Sequence, residues 1–452
     1  MSYRRGLAIA TQASTQSIAE QILKLASEKA DEAEVLFVTS SSTPVHFEAN
    51  HVKSIDSSEA SAAALRIIKN GRIGFASTSD LTDPADLVSA ALETAPFGAE
   101  AKFQFPGKAT YSDVPVYDPA AEETSLEEMA AVGQKVVDEL RAFSDEVQVE
   151  GGVSRSISTE TLMNSRGGYM SYKRSGFRVG FEGTVIRGED MLFTFDSKSG
   201  VAPITDTSEI VGSITRQLTW AKETVPIATK TMPAVLMPQA VPSILLNQLL
   251  AGLNGKTVFQ GTSPLVEKLG EKIVDERFSM IDDATTPMIP GSRPSDDEGV
   301  PSRRLPLVER GIVGTFLYDL QTAGLAGTES TGSGERSLGS LPSPSAGVLL
   351  VGEGDKTLDE MIAGIEEGII IEALLGAGQG NVLGGDFQAN LLLGYKIEKG
   401  KVAGRVKNVM VSGNAYKALN NLIAIGSEGR WVRGGLFTPA IALAEVAVSS
   451  NG

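Results

Sequence analysis

The hydrophobic and polar positions in the first third of the chain predict both helices and short strands. Residues 17–20 have the form of a capping box, and apolar residues then recur on one helical face, so a helix over 16–30 is expected. Asn70-Gly71, between two β-rich runs, is the strongest hairpin signal that a sequence carries. The predicted strands cover 33–39, 44–49, 59–69 and 72–77, and further helices cover 83–95, 125–143 and 206–222.

Residues 146–197 form a succession of apolar and polar alternations with glycines between them. Alternation of this kind is typical of strands that bury one face, and glycines suit the bends. An antiparallel meander is therefore predicted. The second half mixes both kinds of pattern: helices are predicted at 243–253, 355–366 and 415–424, and extended segments at 347–351, 368–376, 391–398, 401–411 and 440–448.

The length of the chain, 452 residues, exceeds what a single compact core usually organises. A proline-rich stretch after residue 225 is a plausible crossing between two domains. The predicted class is α+β: an N-terminal α/β domain with an antiparallel sheet over residues 1–225, and a C-terminal domain with a mixed β-sheet and helices over residues 226–452.

Charge and hydropathy restrict the environment and the partners. Forty Lys and Arg residues against 56 Asp and Glu residues give a net charge of −16, a field that repels phosphate backbones and argues against nucleic-acid binding. Residues 231–255 carry no charge, but prolines and amides interrupt them, so no membrane span is predicted. The apolar stretch after Arg4-Arg5 is too short for a secretory signal, and a cytoplasmic location is expected.

The scarcity of metal-binding side chains is the most informative feature of the composition. The chain has no cysteine, which excludes disulfides, thiolate metal sites and cysteine nucleophiles. Its two histidines, His46 and His51, lie in a predicted strand and turn, where alternation would point them to opposite sides. No metal site is therefore predicted in this chain.

Two other runs invite a chemical interpretation. The acidic run Asp296-Asp297-Glu298 is interpreted as a solvated or hydrogen-bonding loop, a substrate or domain contact, or, with less support, an oxygen-ligand cation site. The glycine-rich run 376–385 lacks the spacing of a nucleotide-binding loop and is interpreted as a place where another backbone approaches closely. Without a G-x-S-x-G motif or a histidine in the second half, a Ser-His-Asp triad is excluded.

Several stretches, in order along nearly the whole chain, resemble the TldD/PmbA family, once called modulators of DNA gyrase. They are EASAAALRIIKNGRIGFASTSDL (59–81), the turn at 164–167, DDEGVPSRR (296–304), TESTGSGER (328–336), the segment 366–402 and VSGNAYKALNNLIAIGSE (411–428).

The resemblance implies a zinc peptidase fold whose catalytic members carry H-E-x-x-x-H on the first helix of the C-terminal domain and a later cysteine. Asn247, Gln248 and Gly252 stand at the matching positions here. An Asn amide is a poor zinc ligand, a Gln cannot take a proton from water, and Gly offers no side chain. The resemblance therefore points to the non-catalytic TldE (PmbA) branch, inactive alone and with no cofactor of its own.

For that branch the resemblance implies a heterodimer with a TldD-like H-E-x-x-x-H paralogue, which holds the zinc and cleaves unfolded or extended peptides. A homodimeric peptide-binding or scaffold protein is the alternative. A third hypothesis is a metal-free hydrolase that uses the acidic run as paired carboxylates. The candidates for the substrate cleft or the interface, which lie in matching motifs, are Asp296, Asp297, Glu298, Gly299 and Asn414.

Overall fold

The computed structural model describes residues 12–450 and places two large β-sheets one after the other along the chain, with a separate two-stranded sheet in the second half. The first sheet has seven strands in the order β4-β3-β1-β5-β6-β7, with β2 beside β1, and its strand pairs are antiparallel. The elements of this half are α1 (Gln12–Ser27), β1 (Glu32–Glu48), β2 (His51–Ile55), β3 (Ser58–Lys69), β4 (Arg72–Thr78), α2 (Pro84–Thr94), a 3-10 turn (Ala95–Phe97), α3 (Pro119–Glu123), α4 (Leu126–Phe143), β5 (Gln148–Asn164), β6 (Tyr169–Arg187), β7 (Asp190–Gly200) and α5 (Ser208–Trp220).

The hairpin signal in this half acts as the sequence predicts, whereas the capping box expected at residues 17–20 lies inside α1 and does not begin it. Asn70 and Gly71 have φ values of 50° and 73°, the left-handed pair that a tight hairpin requires, and they join β3 to β4. Asp83 caps α2 through a hydrogen bond to the backbone N–H of Ala85. Ser125 begins α4 with a complete capping box.

The largest error in this half is the division of β1 into two strands. Residues 40–43 are polar and were expected to end a strand at residue 39, yet β1 continues to Glu48. It does so because β5 pairs with it from Glu34 to Phe47, while β3 leaves it after Ser42 and β2 joins it at Val45. The meander predicted over 146–197 is confirmed as antiparallel. Some of the glycines that were expected at its bends lie inside β5 and β6 instead.

The two histidines are exposed on the β1–β2 hairpin. Their expected separation onto opposite faces is wrong, because Glu48 pairs with His51 and therefore shares its face with it. Glu48 also shares a face with His46, two positions earlier in the same strand. A register shift between His46 and Phe47 in the β1–β2 pair therefore brings His46 and His51 to the same face of the hairpin.

The second sheet has eleven strands and is mixed, since β8 runs parallel to β15 and β14 runs parallel to β20. Because β8 pairs with both β15 and β20, the strands β20, β18, β16, β15 and β8 form a closed ring. The elements are β8 (Lys230–Leu236), a π-helical turn (Pro242–Leu246), α6 (Asn247–Leu253), α7 (Gly255–Phe259), β9 (Met280–Asp283), β10 (Arg304–Glu309), β11 (Ile312–Val313), α8 (Leu320–Ala326), β12 (Gly334–Glu335), β13 (Ser343–Pro344), β14 (Leu349–Val351), α9 (Leu358–Ala363), β15 (Glu367–Gln379), β16 (Asp386–Glu398), β17 (Lys401–Arg405), β18 (Val409–Asn414), α10 (Ala415–Asn420), β19 (Leu422–Val432) and β20 (Leu436–Ser450).

Three boundaries in this half differ from the sequence-based expectation. The extended segment 401–411 is two strands, β17 and β18. The helix expected over 415–424 ends at Asn420, and β19 follows where the sequence predicted helix and loop. The helix expected over 243–253 begins with a π-helical turn before α6.

The α+β class is confirmed, with an antiparallel first sheet and a mixed second sheet. α5 lies between the sheets: its buried residues Ile210 and Ile214 share one apolar cluster with Val179 of the first sheet and Ile370 of the second. The domain boundary near residue 225 stays a prediction. No helix within residues 12–450 is both long enough and apolar enough to cross a bilayer.

Candidate functional site

The helix that matches the family's zinc motif has one exposed and two buried positions of interest. Asn247 is exposed, whereas Gln248 is 1% exposed and Gly252 is buried. The Gln248 Nε2 donates to the Ser243 carbonyl at 3.1 Å, and its Oε1 has no hydrogen-bond partner in the described part of the chain. The π-helical turn before α6 is a distortion often found at functional sites.

Tyr416 fills the space beside Gly252. A Cβ built on Gly252 would lie 2.3 Å from the Tyr416 hydroxyl oxygen and 3.2 Å from Leu265 Cδ1. No side chain fits there without displacing the phenol. The Tyr416 hydroxyl is itself buried and has no hydrogen-bond partner within the described range, and burial raises the pKa of this phenol to about 12.

Asn414 and the glycine-rich loop hold Tyr416 in place. Asn414 caps α10, and its Nδ2 donates to the Gly384 carbonyl at 2.8 Å and to Asp386 Oδ1 at 2.9 Å. A Cβ on Gly385, whose φ is 92°, would lie 2.5 Å from Tyr416 Cδ2. The close approach at Gly385 is therefore made by an aromatic side chain as well as by a backbone group, since the Ala415 N–H donates to the Gly385 carbonyl at 2.8 Å.

The residues at this helix do not fit a zinc ion. The matching positions supply an amide, a second amide and a glycine whose neighbourhood is already occupied by the Tyr416 hydroxyl. The chain has no cysteine to add a thiolate. Within residues 12–450, no group of three or more His, Asp and Glu side chains is placed to hold a metal ion.

The acidic loop is a separate and fully hydrogen-bonded structure. Asp296 is 0% exposed; its Oδ1 accepts from the backbone N–H groups of Glu298 and Val300 at 3.0 and 2.9 Å. Its Oδ2 accepts from the Gly334 N–H at 2.8 Å. Such bonds fold the loop around its own carboxylate, so Asp296 stabilises the local backbone.

Asp297 and Gly299 tie the loop to its surroundings. Asp297 Oδ2 accepts from the Arg336 N–H at 2.8 Å, and Arg293 lies 3.4 Å from its other oxygen. Gly299 adopts φ 77°, a conformation that favours glycine, and its carbonyl accepts from the Tyr111 hydroxyl at 3.1 Å. The loop thus contacts residues from both halves of the chain.

Glu298 makes one of several ionic connections between the two halves, and it is fully buried. Its Oε1 accepts from Arg66 Nη1 at 2.6 Å, and its Oε2 accepts from the Leu320 N–H at 2.6 Å. Arg66, on β3, also donates to Glu34 Oε1 on β1 at 3.0 and 3.2 Å. Arg336 Nη2 reaches the same Glu34 oxygen at 3.0 Å. We call Glu34, Arg66, Glu298 and Arg336 the buried charge network; their side chains are at most 2% exposed.

Electrostatics within the network follow from burial and pairing. Burial raises the pKa values of both Glu298 and Asp296, even though Arg66 and Arg293 respectively oppose the rise. For Arg66, burial lowers the pKa, but Glu34 and Glu298 together outweigh it and leave the pKa raised. The rings of Phe103 and Phe105 lie 4.9 and 5.0 Å from its guanidinium carbon.

The structure thus divides the candidate residues into two groups. Gly252 lies against Tyr416, Asn247 and Gln248 are on the same helix as Gly252, and Asn414 caps the helix that carries Tyr416, whereas the acidic loop lies against the first sheet. Neither Asp296 nor Glu298 has exposed surface, and their oxygens are occupied by hydrogen bonds, which does not suit paired carboxylates acting on a substrate. Sequence reasoning missed Tyr416, Arg66 and Arg336. All three lie in stretches that resemble the family, and Tyr416 is the second residue of α10, but nothing in the sequence shows what they contact.

Comparison with known proteins decides the family. A family model described as the PmbA/TldA metallopeptidase C-terminal domain matches residues 229–450, and one described as PmbA/TldA metallopeptidase domain 1 matches residues 33–95. The chain belongs to the TldD/PmbA family. The family predicted from the sequence motifs is confirmed.

Individual members of the TldD/PmbA family are distant in sequence. An uncharacterized protein of Methanocaldococcus jannaschii is 25% identical over 430 residues, 93% of this chain and 97% of that protein. A metalloprotease TldD homologue of Haemophilus influenzae is 30% identical over 267 residues, 54% of this chain and 55% of that protein. The crystal structure of TldE from Thermococcus kodakarensis has a TM-score of 0.87 at 24% identity and covers 96% of this chain and 100% of that one. That structural likeness shows a shared fold.

Proposed function

We propose that this chain is the non-catalytic, TldE-like subunit of a cytoplasmic TldD/TldE-type zinc metallopeptidase. The observation that carries the proposal is the contact between Gly252 and Tyr416. Where a catalytic member would place its second histidine, a Cβ atom would meet the phenol oxygen at 2.3 Å. These positions therefore offer neither the ligand side chains of the zinc motif nor free space beside Gly252 for a histidine.

The remaining chemistry belongs to a partner. An H-E-x-x-x-H motif in the other subunit would hold a zinc ion, which would supply Lewis-acid catalysis and a zinc-activated water there. This chain supplies rigid walls around an extended peptide, whose backbone bonds to a sheet edge irrespective of sequence. Asn247, Asp297 and Asn414 keep exposed or partly exposed surface and are the candidates for contact with peptide or partner. Asp296, Glu298 and Gly299 shape and anchor the acidic loop that carries Asp297.

The test is reconstitution. The purified chain is mixed with an H-E-x-x-x-H paralogue from the same genome, and the mixture is examined by size-exclusion chromatography and by cleavage of an unfolded peptide. We expect co-elution of the two chains, cleavage by the mixture and no cleavage by this chain alone. A paralogue whose motif Glu is replaced by Gln is the control, since it should co-elute without cleaving.

Two outcomes would contradict the proposal. Cleavage by the isolated chain would show that catalysis does not need the partner. A stable homodimer that binds peptide and ignores the paralogue would instead support the peptide-binding or scaffold alternative.

A further inference from the structure

A cavity of about 330 Å³ lies between α5 and the second sheet, apart from α6 and the acidic loop. Its size is at the lower end of the range for small-ligand sites and suits one small molecule or one long side chain. The residues that carry the argument are Gly212 and Arg216 of α5, Glu372 of β15, Arg430 of β19, and the rim carboxylates Glu209 and Glu428.

Glu372 lies at a β-bulge in the cavity wall. Ile371 pairs with Gly394 and Ala373 pairs with Leu393, so Glu372 is the extra residue on its strand. Bulges of this kind re-aim a side chain and are common beside functional sites. The Glu372 side chain is 3% exposed, its Oε1 accepts from Arg216 Nη2 at 2.8 Å, and its Oε2 has no hydrogen-bond partner in the described chain.

The cations that face Glu372 are already committed to other groups. Arg430 donates to both oxygens of Asp196, at 2.8 and 2.9 Å, and its Nε lies 3.1 Å from Glu209. Arg216 pairs with Glu372 and also lies over the Trp220 ring, 5.0 Å from its centroid. Tyr395 of β16 donates its hydroxyl to the Gln217 carbonyl at 3.3 Å. Lys356 also lines the cavity, and the Nε atoms of Arg216 and Arg430 have no hydrogen-bond partner in the described chain. Both guanidinium groups are nevertheless paired with carboxylates through their other nitrogens, whereas Glu372 Oε2 has no donor.

The charges of the wall favour a cation. The lining carries three carboxylates and three cations, and Asp196 adds a fourth carboxylate behind Arg430. A buried acceptor without a partner is unfavourable, and a charged donor is its strongest complement. The terminal torsion of a Glu side chain is broad, so a small rotation of the carboxylate offers its free oxygen to a donor in the cavity.

We propose that this cavity binds an organic ammonium or guanidinium group, with the Glu372 carboxylate as its counter-ion. The donor is a free small amine or a Lys or Arg side chain of a peptide, which present the same chemistry. The inference does not depend on the function proposed above, because it rests on residues of α5, β15 and β19 and not on the vicinity of Tyr416.

The site has a characteristic pH dependence. Burial raises the pKa of Glu372 to about 7; Arg216 and Arg430 oppose the rise and Asp196 adds to it. Tyr395, on the strand paired with β15, keeps its proton throughout, since burial raises its own pKa further. A cation needs the ionised carboxylate, so binding is expected to release a proton below pH 7 and to strengthen as the pH rises from 6 to 8.

Calorimetric titration of the full chain with n-butylammonium tests the proposal, with n-butanol as the neutral control and N-acetyl-lysine amide as the peptide-like probe. We expect saturable binding of both amines, none of butanol, and weaker binding at pH 6 than at pH 8. Comparable affinity for the two amines would show that the side chain of a peptide can occupy the cavity. Binding of butylammonium alone would show that the cavity takes a small free amine.

Two variants and one matched control locate the binding. Glu372→Gln removes the charge and should weaken butylammonium binding about tenfold or more. Gly212→Leu places a side chain where a Cβ would meet nothing within 4 Å, so it should block the cavity without disturbing Glu372. Glu367→Gln, on the same strand but 38% exposed and paired with Lys230, should leave binding unchanged.

The proposal is overturned if neither amine binds saturably, if butanol binds as well as butylammonium, or if Gly212→Leu binds normally. Retention of binding by Glu372→Gln would also overturn it. If Glu372→Gln does not fold, Gly212→Leu and the pH dependence of the unaltered protein still decide the matter.

Discussion

The surroundings of Tyr416 and the buried charge network are two polar regions that differ in how their groups are paired. In the first region, the Gln248 Oε1 and the Tyr416 hydroxyl are both buried and unbonded among the described residues. In the network, Glu34 Oε2 and two nitrogens of Arg336 are also unbonded, but Arg66 donates to two carboxylates at once. The first region is filled by packing, whereas the second connects the two halves of the chain through buried ion pairs.

The sharpest test of that contrast removes the central cation of the network. Arg66→Met leaves Glu34 and Glu298 buried with less compensation, and breaking a buried ion pair on one side costs about 3–5 kcal/mol. We expect a loss of that order in the free energy of unfolding, measured by urea titration. Arg187→Met is the control: Arg187 pairs with Glu146 at the surface, where such pairs contribute about 0–1 kcal/mol. Equal effects would mean that the network does not join the halves.

The second test places a histidine at Gly252, where the H-E-x-x-x-H motif would have its second histidine. Gly252→His forces a Cβ against the Tyr416 hydroxyl, and overpacking of this kind costs about 1–3 kcal/mol. Thermal unfolding should show the loss, and the double variant Gly252→His with Tyr416→Ala should be less destabilised than the two single effects predict when added. Gly212→His, at an open helical position, is the control and should cost little. Additive effects would show that Tyr416 does not occupy the space.

A third prediction uses the pH dependence of the network. Burial raises the pKa of Glu298 in the folded protein above its ordinary value of 4.5. The Glu298 carboxyl group therefore stabilises the folded protein below about pH 4.5, and this stabilisation is lost as the pH rises through the folded pKa. The loss is about 1.4 kcal/mol for each unit by which the pKa is raised. Glu298→Gln should therefore lose less stability than the unaltered chain as the pH rises from 5 to 8. An equal loss of unfolding free energy in Glu298→Gln and in the unaltered chain between pH 5 and 8 would contradict the account.

The smallest expected effect concerns the phenol itself. Tyr416→Phe removes a buried hydroxyl that has no partner in the described chain, so stability should change little or increase, by about 0–1 kcal/mol. Tyr395→Phe removes a hydroxyl that donates to the Gln217 carbonyl and should cost about 1 kcal/mol. A larger loss from Tyr416→Phe than from Tyr395→Phe would show that the Tyr416 hydroxyl has a role that packing does not explain.

Local sequence signals predicted the elements that depend on neighbours in the chain. The hairpin at Asn70-Gly71 and the capping box at Ser125 are set by backbone conformation within a few residues. The polar residues 40–43 misled, because their place in β1 depends on β5, more than 100 positions away. β19 was missed for a different reason, since its partner β20 follows it directly in the chain: the helical pattern at 415–424 was extended over the first residues of β19.

The candidate site shows the same limit. Asn247, Gln248 and Gly252 were found because a motif with fixed spacing is readable from the sequence. The contact between Arg66 and Glu298 joins positions 232 apart, and a lone Arg in a strand gives no sign of its partner. The acidic run was interpreted as a solvated or hydrogen-bonding loop, or as a substrate or domain contact. The structure shows a buried hydrogen-bonding loop that also contacts the first half of the chain, and the sequence could not show which donors make its burial possible.

Zinc content tests the central claim most directly. The purified chain is incubated with excess zinc, passed through a desalting column and analysed by elemental mass spectrometry, with the H-E-x-x-x-H paralogue treated in parallel. We predict stoichiometric zinc in the paralogue and only a trace in this chain. The positions on α6 where zinc ligands would stand carry two amides and a glycine, and a phenol lies beside that glycine. Stoichiometric zinc retained by this chain, and lost in a variant of Gln248 or Tyr416, would contradict the account.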